Sequence, residues 1–256
     1  MTRSQLLAST DRTGAGNARY SLLVAHDNDD VLAAQRLRHQ VFAGELGARL
    51  HTTRQGVDAD YFDDFCDHLV VRDDNTGEIV GTYRMLPPRR AAEAGQLYAD
   101  LEFDLSSIDH LRPGLVETGR SCVHADHRSG AVVGLVWAGI ARYMLLSGHR
   151  YLAGCASVPL ADGGIRAAQV WDLVSHRHYA PAEHRVTPLR PWDTDTVGPR
   201  PRGTLPPLLR GYVRLGAKVC GPPAYDRDFD VADFFVLLDL QQVDERYLKF
   251  FLGAQV

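Results

Sequence analysis

The sharpest contrast between apolar and polar positions falls between Leu115 and Gly148. LVETGRSCV, Leu115 to Val123, mixes β-branched and small residues and predicts a strand. HADHRSG follows with turn chemistry. Ala131 to Leu146 is then an apolar run of about four helical turns, closed by Ser147-Gly148 as a C-cap. Upstream, Tyr20 to Ala25 predicts a first strand, and His26 to Asp30 a turn whose carboxylates can cap a helix. From Val31 to Leu46, apolar residues recur near helical spacing, with Arg36, Arg38 and His39 among them. Gly47 to Asp67 reads as a polar loop. His68 to Arg72 and Glu78 to Leu86 form a hairpin around Asn75-Thr76-Gly77, and Pro87-Pro88-Arg89-Arg90 ends it.

Glu93 to Leu111 is mixed, a short helix followed by a loop with local order. Arg150 to Val158 predicts a buried strand, and Ile165 to Tyr179 is helical at its start. Ala180 to Pro207, rich in proline, arginine and acid, reads as a long extended connection. A helix begins near Pro206-Pro207 and is closed by Gly216, Val231 to Leu240 is a central strand, and Val243 to Leu252 is a short amphipathic helix. Strands and helices interleave, with one antiparallel hairpin early, so the fold class is α/β or α+β around a mixed central sheet flanked by helices. Residues 1–17 are expected as a mobile tail and 18–256 as a single domain.

Composition narrows the picture. The chain has 256 residues, 45% of them hydrophobic, enough for a sizeable core, and a formal charge of −4. No long basic run invites nucleic acid or an anionic bilayer. Cys66, Cys122, Cys155 and Cys220 lie far apart and form no CxxC pair, which argues against a structural zinc or a disulfide framework. A reduced cytoplasmic chain fits best, with any lipid met peripherally at the inner face of the membrane. The N-terminus lacks an apolar core long enough for a signal peptide, and no window approaches the apolar length of a membrane span.

The strand, basic glycine turn and helix around Arg128, Ser129 and Gly130 would make an anion site, because first-turn N–H groups are unpaired and the helix dipole points at the loop. Glu117 and Arg120 lie just upstream; a surface ion pair in an ordinary βα unit explains them equally well. Asp58, Asp60, Asp63, Asp64 and Asp67 crowd one loop but lack the glycine and closing glutamate of a calcium loop, so a solvated or cation-attracting loop is expected and no metal. His176 and His178 cannot meet on one helix face and read as surface or lining residues.

With these elements placed, the chain resembles the GNAT acyltransferase superfamily. Two closer likenesses refine that. N-acyl-homoserine-lactone synthases share an Arg, three residues, Phe motif, matched by Arg38 and Val41-Phe42. Their paired aspartates are matched by Asp60 and Asp63, their arginine before a strand end by Arg84 in YRMLP, and their Glu-x-x-Arg by Glu117 and Arg120. The second likeness, to the ornithine-lipid N-acyltransferases (a hemolysin-like family), spans nearly the whole chain through FDDFCDHLVV, ETGRSCVHADHR, WAGIARY, LPPLLRGYVRLGAKV and AYDRDFDVADFFVLLDL. The phosphate loop departs from the usual GNAT pattern, fitting Arg128-Ser129-Gly130 only loosely.

This resemblance implies transfer of a 3-hydroxyacyl chain from acyl carrier protein to the α-amine of ornithine, the first step toward ornithine lipids, with no tightly bound cofactor. It implies Glu117 as base, with Arg120 beside it in the catalytic motif. Asp60 and Asp63 would take ammonium groups, and Arg38 and Arg84 the amino-acid carboxylate, with Phe42 lining the substrate. Cys122, Val123, Arg128, Ser129 and Gly130 would meet the donor's phosphopantetheine. Salt bridges between the arginines and the acidic loop are the competing role. An N-acyl amino acid synthase with another amine, an acetyl-coenzyme A acetyltransferase and a non-catalytic binding domain remain alternatives.

Overall fold

The computed structural model describes residues 5–10 and 19–243. The amphipathic helix expected at 243–252 therefore lies almost wholly outside the described residues. The chain divides into two compact units, each built from separate stretches of sequence. Among the described residues, the first comprises 5–10, 19–87 and 118–149, and the second comprises 88–117 and 150–243.

In the first unit, β2 (Tyr20–Ala25) pairs antiparallel with β1 (Gln5–Ser9) and with β3 (Asp67–Asp73). β1 corrects the expectation of a mobile tail through residue 17: Leu7 is buried, and the strand covers an edge of β2 that would otherwise leave its ladder groups unpaired. β3 and β4 (Ile79–Leu86) form the expected hairpin, where Gly77 takes φ 80° and donates to the Asp73 carbonyl. Helix α1 (Asn28–His39) is capped by Asp27, whose Oδ1 accepts from Asp30 N at 2.8 Å. The helical spacing predicted to Leu46 continues as a π-helical segment, Gln40–Glu45, rather than an α-helix. Its wider turn keeps Val41 and Phe42 buried together while Gln40 and Glu45 face the turn that holds His124 and Arg128.

β6 (Leu115–Val123) begins in the second unit and ends in the first. Helix α3 (Gly130–Ser147) ends at Gly148, where φ is 69°. It is the one described helix long and apolar enough, by length and composition alone, to cross a membrane, an exception to the sequence expectation. Here it packs on β1, β2 and β3, burying Val132, Leu135, Ile140 and Met144.

In the second unit, β7 (Tyr151–Pro159) pairs antiparallel along its length with β11 (Val231–Asp239), whose apolar run is buried from Val231 to Leu238. β10 (Ala224–Asp226) and β9 (Lys218–Val219) also pair with β11. Helix α2 (Pro88–Ala94) starts where only a strand end was expected, because proline suits a first helical turn. β5 (Phe103–Asp104) pairs with β8 (Thr187–Pro188), so the long connection carries local structure. Helices α4 (Ile165–Arg177) and α5 (Pro207–Arg214) complete the unit.

Candidate functional site

The first unit gathers five of the expected residues with one more, Asp58. Arg38, at the end of α1 and 0% exposed, forms a bidentate pair with Asp63, Nη1 to Oδ1 at 2.8 Å and Nη2 to Oδ2 at 2.7 Å. Its Nη2 also donates to the Asp58 carbonyl, and its Nε lies 2.9 Å from Asp58 Oδ2 as an ion pair without hydrogen-bond alignment. Arg84 donates to Asp60 at 2.6 Å and sits 3.5 Å from Asp63. Arg120 closes the set, with Nη2 3.2 Å from Asp60 and Nε 3.4 Å from Asp58. Its backbone is held at φ 51°, a conformation a side-chain-bearing residue adopts only under constraint. Three guanidinium groups thus face three carboxylates and cancel. In the acidic loop, expected to attract a cation, Asp58, Asp60 and Asp63 are neutralised by arginines from outside it, and the competing salt-bridge role is met. Asp60, its side chain 22% exposed, and Arg120 form the accessible margin.

The electrostatics follow from this pairing. Burial opposes ionisation of Asp63, but the Arg38 hydrogen bonds and the charges of Arg38 and Arg84 hold its carboxyl well below the usual range. Burial also opposes the charge on Arg84, and the surrounding negative groups, Asp60 foremost and Asp63 among them, together more than offset it. His68 is buried and pushed down by that burial, so it stays neutral beside the Asp63 carbonyl. Phe42 is buried within the unit.

The loop after β6 sits at the start of α3. Ser129 is the N-cap, accepting from Val132 N at 3.5 Å, and added side-chain bulk at Gly130 would meet open space. Arg128 donates through Nε to the Val123 carbonyl at 3.1 Å and pairs with Glu45. Gln40 and His124 are 3.1 Å apart. The first N–H groups of α3 therefore open onto a loop whose cation is already oriented, the geometry of an anion-binding turn.

In the second unit, Glu117 is 5% exposed, and each carboxylate oxygen accepts a backbone N–H, from Tyr98 at 2.6 Å and Ala99 at 2.7 Å. It caps the 3₁₀ turn Tyr98–Leu101, which Asp100 also braces by accepting from Leu97 N and from Arg112. A second acidic group lies in this unit. One carboxylate oxygen each from Glu102, Asp226 and Asp233 falls within 4.8 Å of the others. Sequence reasoning missed it, although Asp233, a carboxylate inside the apolar run VADFFVLLDL, was a readable signal.

Residues 37–138 match the family described as Acetyltransferase (GNAT) domain. The L-ornithine N(alpha)-acyltransferase of Rhodobacter capsulatus is 34% identical over 246 residues, covering 91% of this chain and 94% of the relative. That of Brucella abortus is 33% identical, covering 91% and 88%. The chain belongs to the L-ornithine N(alpha)-acyltransferase family. Among solved structures, FeeM, an N-acyl amino acid synthase from uncultured soil microbes, shares the fold with a TM-score of 0.56 at 12% identity, covering 89% of this chain and 94% of that one.

As a member of this family, the chain is an acyltransferase with the GNAT fold. Burial pushes the Cys122 thiol up to about 12, so it holds almost no thiolate near neutrality. The structure brings Arg38, Asp60, Asp63, Arg84 and Arg120 into one cluster and adds Asp58, and it arranges Val123, Arg128, Ser129 and Gly130 about one turn.

Proposed function

We propose that this acyltransferase moves a long 3-hydroxyacyl chain from acyl carrier protein onto the α-amine of ornithine, opening the route to an ornithine lipid. The carrying observation is the 34% identity, across 91% of the chain, to a relative named for ornithine acylation. The α-amine nitrogen bonds to the acyl carbon, the C–S bond breaks, and the thiolate leaves and is protonated. An amine attacks only when neutral, so a base must take its proton. Glu117 is that base, directly or through water, and two backbone N–H groups fix its carboxylate. Backbone N–H groups of Ser121 to Val123 hold the thioester oxygen.

The N–H groups opening α3, with Arg128, hold the phosphodiester of the carrier's pantetheine arm; no tightly bound cofactor takes part. Asp60 and Arg120 present one charge of each sign to the amino acid, and the buried Arg38, Asp58, Asp63 and Arg84 keep them in place. Arg89, 87% exposed, and Arg90 offer positive charge to an acidic carrier, although both also pair with Glu93. A cytoplasmic enzyme touching the membrane's inner face belongs to the same reading.

The test offers ornithine with matched long-chain donors. Acyl carrier protein should be preferred, and raised salt or Arg89→Glu with Arg90→Glu should weaken its use several-fold. Equal efficiency with acyl-coenzyme A, indifferent to both changes, would overturn the donor assignment. Absence of acylated ornithine in lipid extracts of an expressing host lacking aminolipids would overturn the acceptor.

A further inference from the structure

We propose that the carboxylates of Glu102, Asp226 and Asp233 form the subsite for the side-chain ammonium of the acceptor amino acid. The inference rests on the reading of ornithine as acceptor and adds where its second amine is recognised.

The placement is built by the second unit's own elements. Asp233 lies on β11, and Asp226 ends the neighbouring β10, in register through Ala224↔Asp233 and Asp226↔Val231. Glu102 precedes β5, whose Phe103 packs against Phe235 of β11 with ring centroids 5.9 Å apart. The ligand oxygens converge within 4.8 Å. Glu102 and Asp233 are only 5% and 3% exposed, and Asp226 is half-buried. Within this group Glu102 Oε2 is wholly buried and accepts no hydrogen bond. A buried acceptor beside two further carboxylates calls for a cation or a proton. Burial and the charges of Asp233 and Asp226 push Glu102 well above the usual carboxyl range, so the empty group retains a proton that an arriving cation displaces.

The ligand class follows from position and charge. Burial pushes the Cys155 thiol of β7 up, and Glu102, Asp233 and Glu117 all lie near enough to add to that shift, so the acidic group shares a neighbour with the base assigned to the α-amine. A primary ammonium carries three N–H donors and no acceptor, matching three converging carboxylate oxygens. An acceptor with an amine at each end of a short aliphatic chain has that ammonium. The acidic loop of the first unit is a poorer candidate, because Asp58, Asp60 and Asp63 are each already paired with arginine.

The experiment compares L-ornithine with L-norvaline, which has the same chain length without the terminal amine, using one acyl donor, and pairs it with calorimetric binding of both. Asp226→Asn keeps the Oδ1 that accepts from Asp228 N at 2.8 Å and Phe229 N at 3.2 Å, and so removes charge while sparing the turn. Glu102→Gln is the second variant. Wild type should favour ornithine in kcat/KM, and each variant should raise the ornithine KM about tenfold or more, with norvaline kinetics unchanged. Transfer to ornithine with no preference over norvaline, or a preference retained in both folded variants, would overturn the subsite and leave the transfer reading standing. Preferential binding of ornithine without transfer would do the reverse. Loss of activity on EDTA treatment, restored by Mg²⁺ in wild type and lost in both variants, would assign the group to a metal and overturn the ammonium role.

Discussion

Glu117 shows how much one side chain can carry at the residue scale. Its two oxygens hold the N–H groups of Tyr98 and Ala99, so its orientation is fixed before any substrate arrives. Glu117→Gln retains one acceptor but turns an amide N–H₂ toward a backbone donor, which should cost about 1–3 kcal/mol of stability. Beyond that, loss of the basic carboxylate should lower kcat about a hundredfold or more, with donor KM little changed. Rates measured across pH, with thermal unfolding of the same variant, separate the two effects. A folded variant with near wild-type turnover at all pH values would remove Glu117 from proton transfer. The residue types are legible in the sequence: Arg38, Asp60, Asp63, Arg84, Glu117 and Arg120 all stand out there. Their partners do not, because a guanidinium destined for substrate and one destined for a buried carboxylate look alike in one dimension.

The strongest periodic signals gave the right elements: β2 coincides with its expected residues, and α3 differs from its expected span by one residue at each end. The weaker ones did not. The π segment Gln40–Glu45 carries the same apolar spacing as the helix it extends, and β1 and β10 are too short for alternation to register. Tertiary contact also explains Gly139. A Cβ there would stand 2.4 Å and 2.7 Å from the two Leu22 methyl carbons of β2. Gly139→Val should therefore force α3 away from the sheet and cost about 1–3 kcal/mol by overpacking, read as a lower midpoint in urea unfolding. An unchanged midpoint would mean that the helix shifts freely over Leu22. Since α3 also presents the anion-binding turn, donor KM should rise in the same variant.

For the whole molecule, acid stability should report the buried ion pair. Asp63 has a folded pKa held below its unfolded value, so its stabilising contribution is complete above about pH 4 and is lost as pH falls further, the unfolded chain taking up the proton first. Asp63→Asn should destabilise the protein by about 1–3 kcal/mol at neutral pH by removing the bidentate partner of Arg38 while Asp58 remains, and should flatten the loss of stability below pH 4. Urea unfolding of both proteins from pH 7 downward measures this, and parallel curves would sink the assignment. By itself the sequence determined the α/β class, the order of the main strands and helices, the turn that opens α3 and the residue types of the charged loop. All of these follow from local periodicity, capping and turn chemistry. Only the tertiary structure decided that Asp58, Asp60 and Asp63 neutralise Arg38, Arg84 and Arg120. It alone decided that Glu117 is held by the backbone at Tyr98 and Ala99, and that Glu102 meets Asp226 and Asp233. Such pairings join residues up to 131 positions apart (102 to 233), and strand register, which no local pattern encodes, sets them.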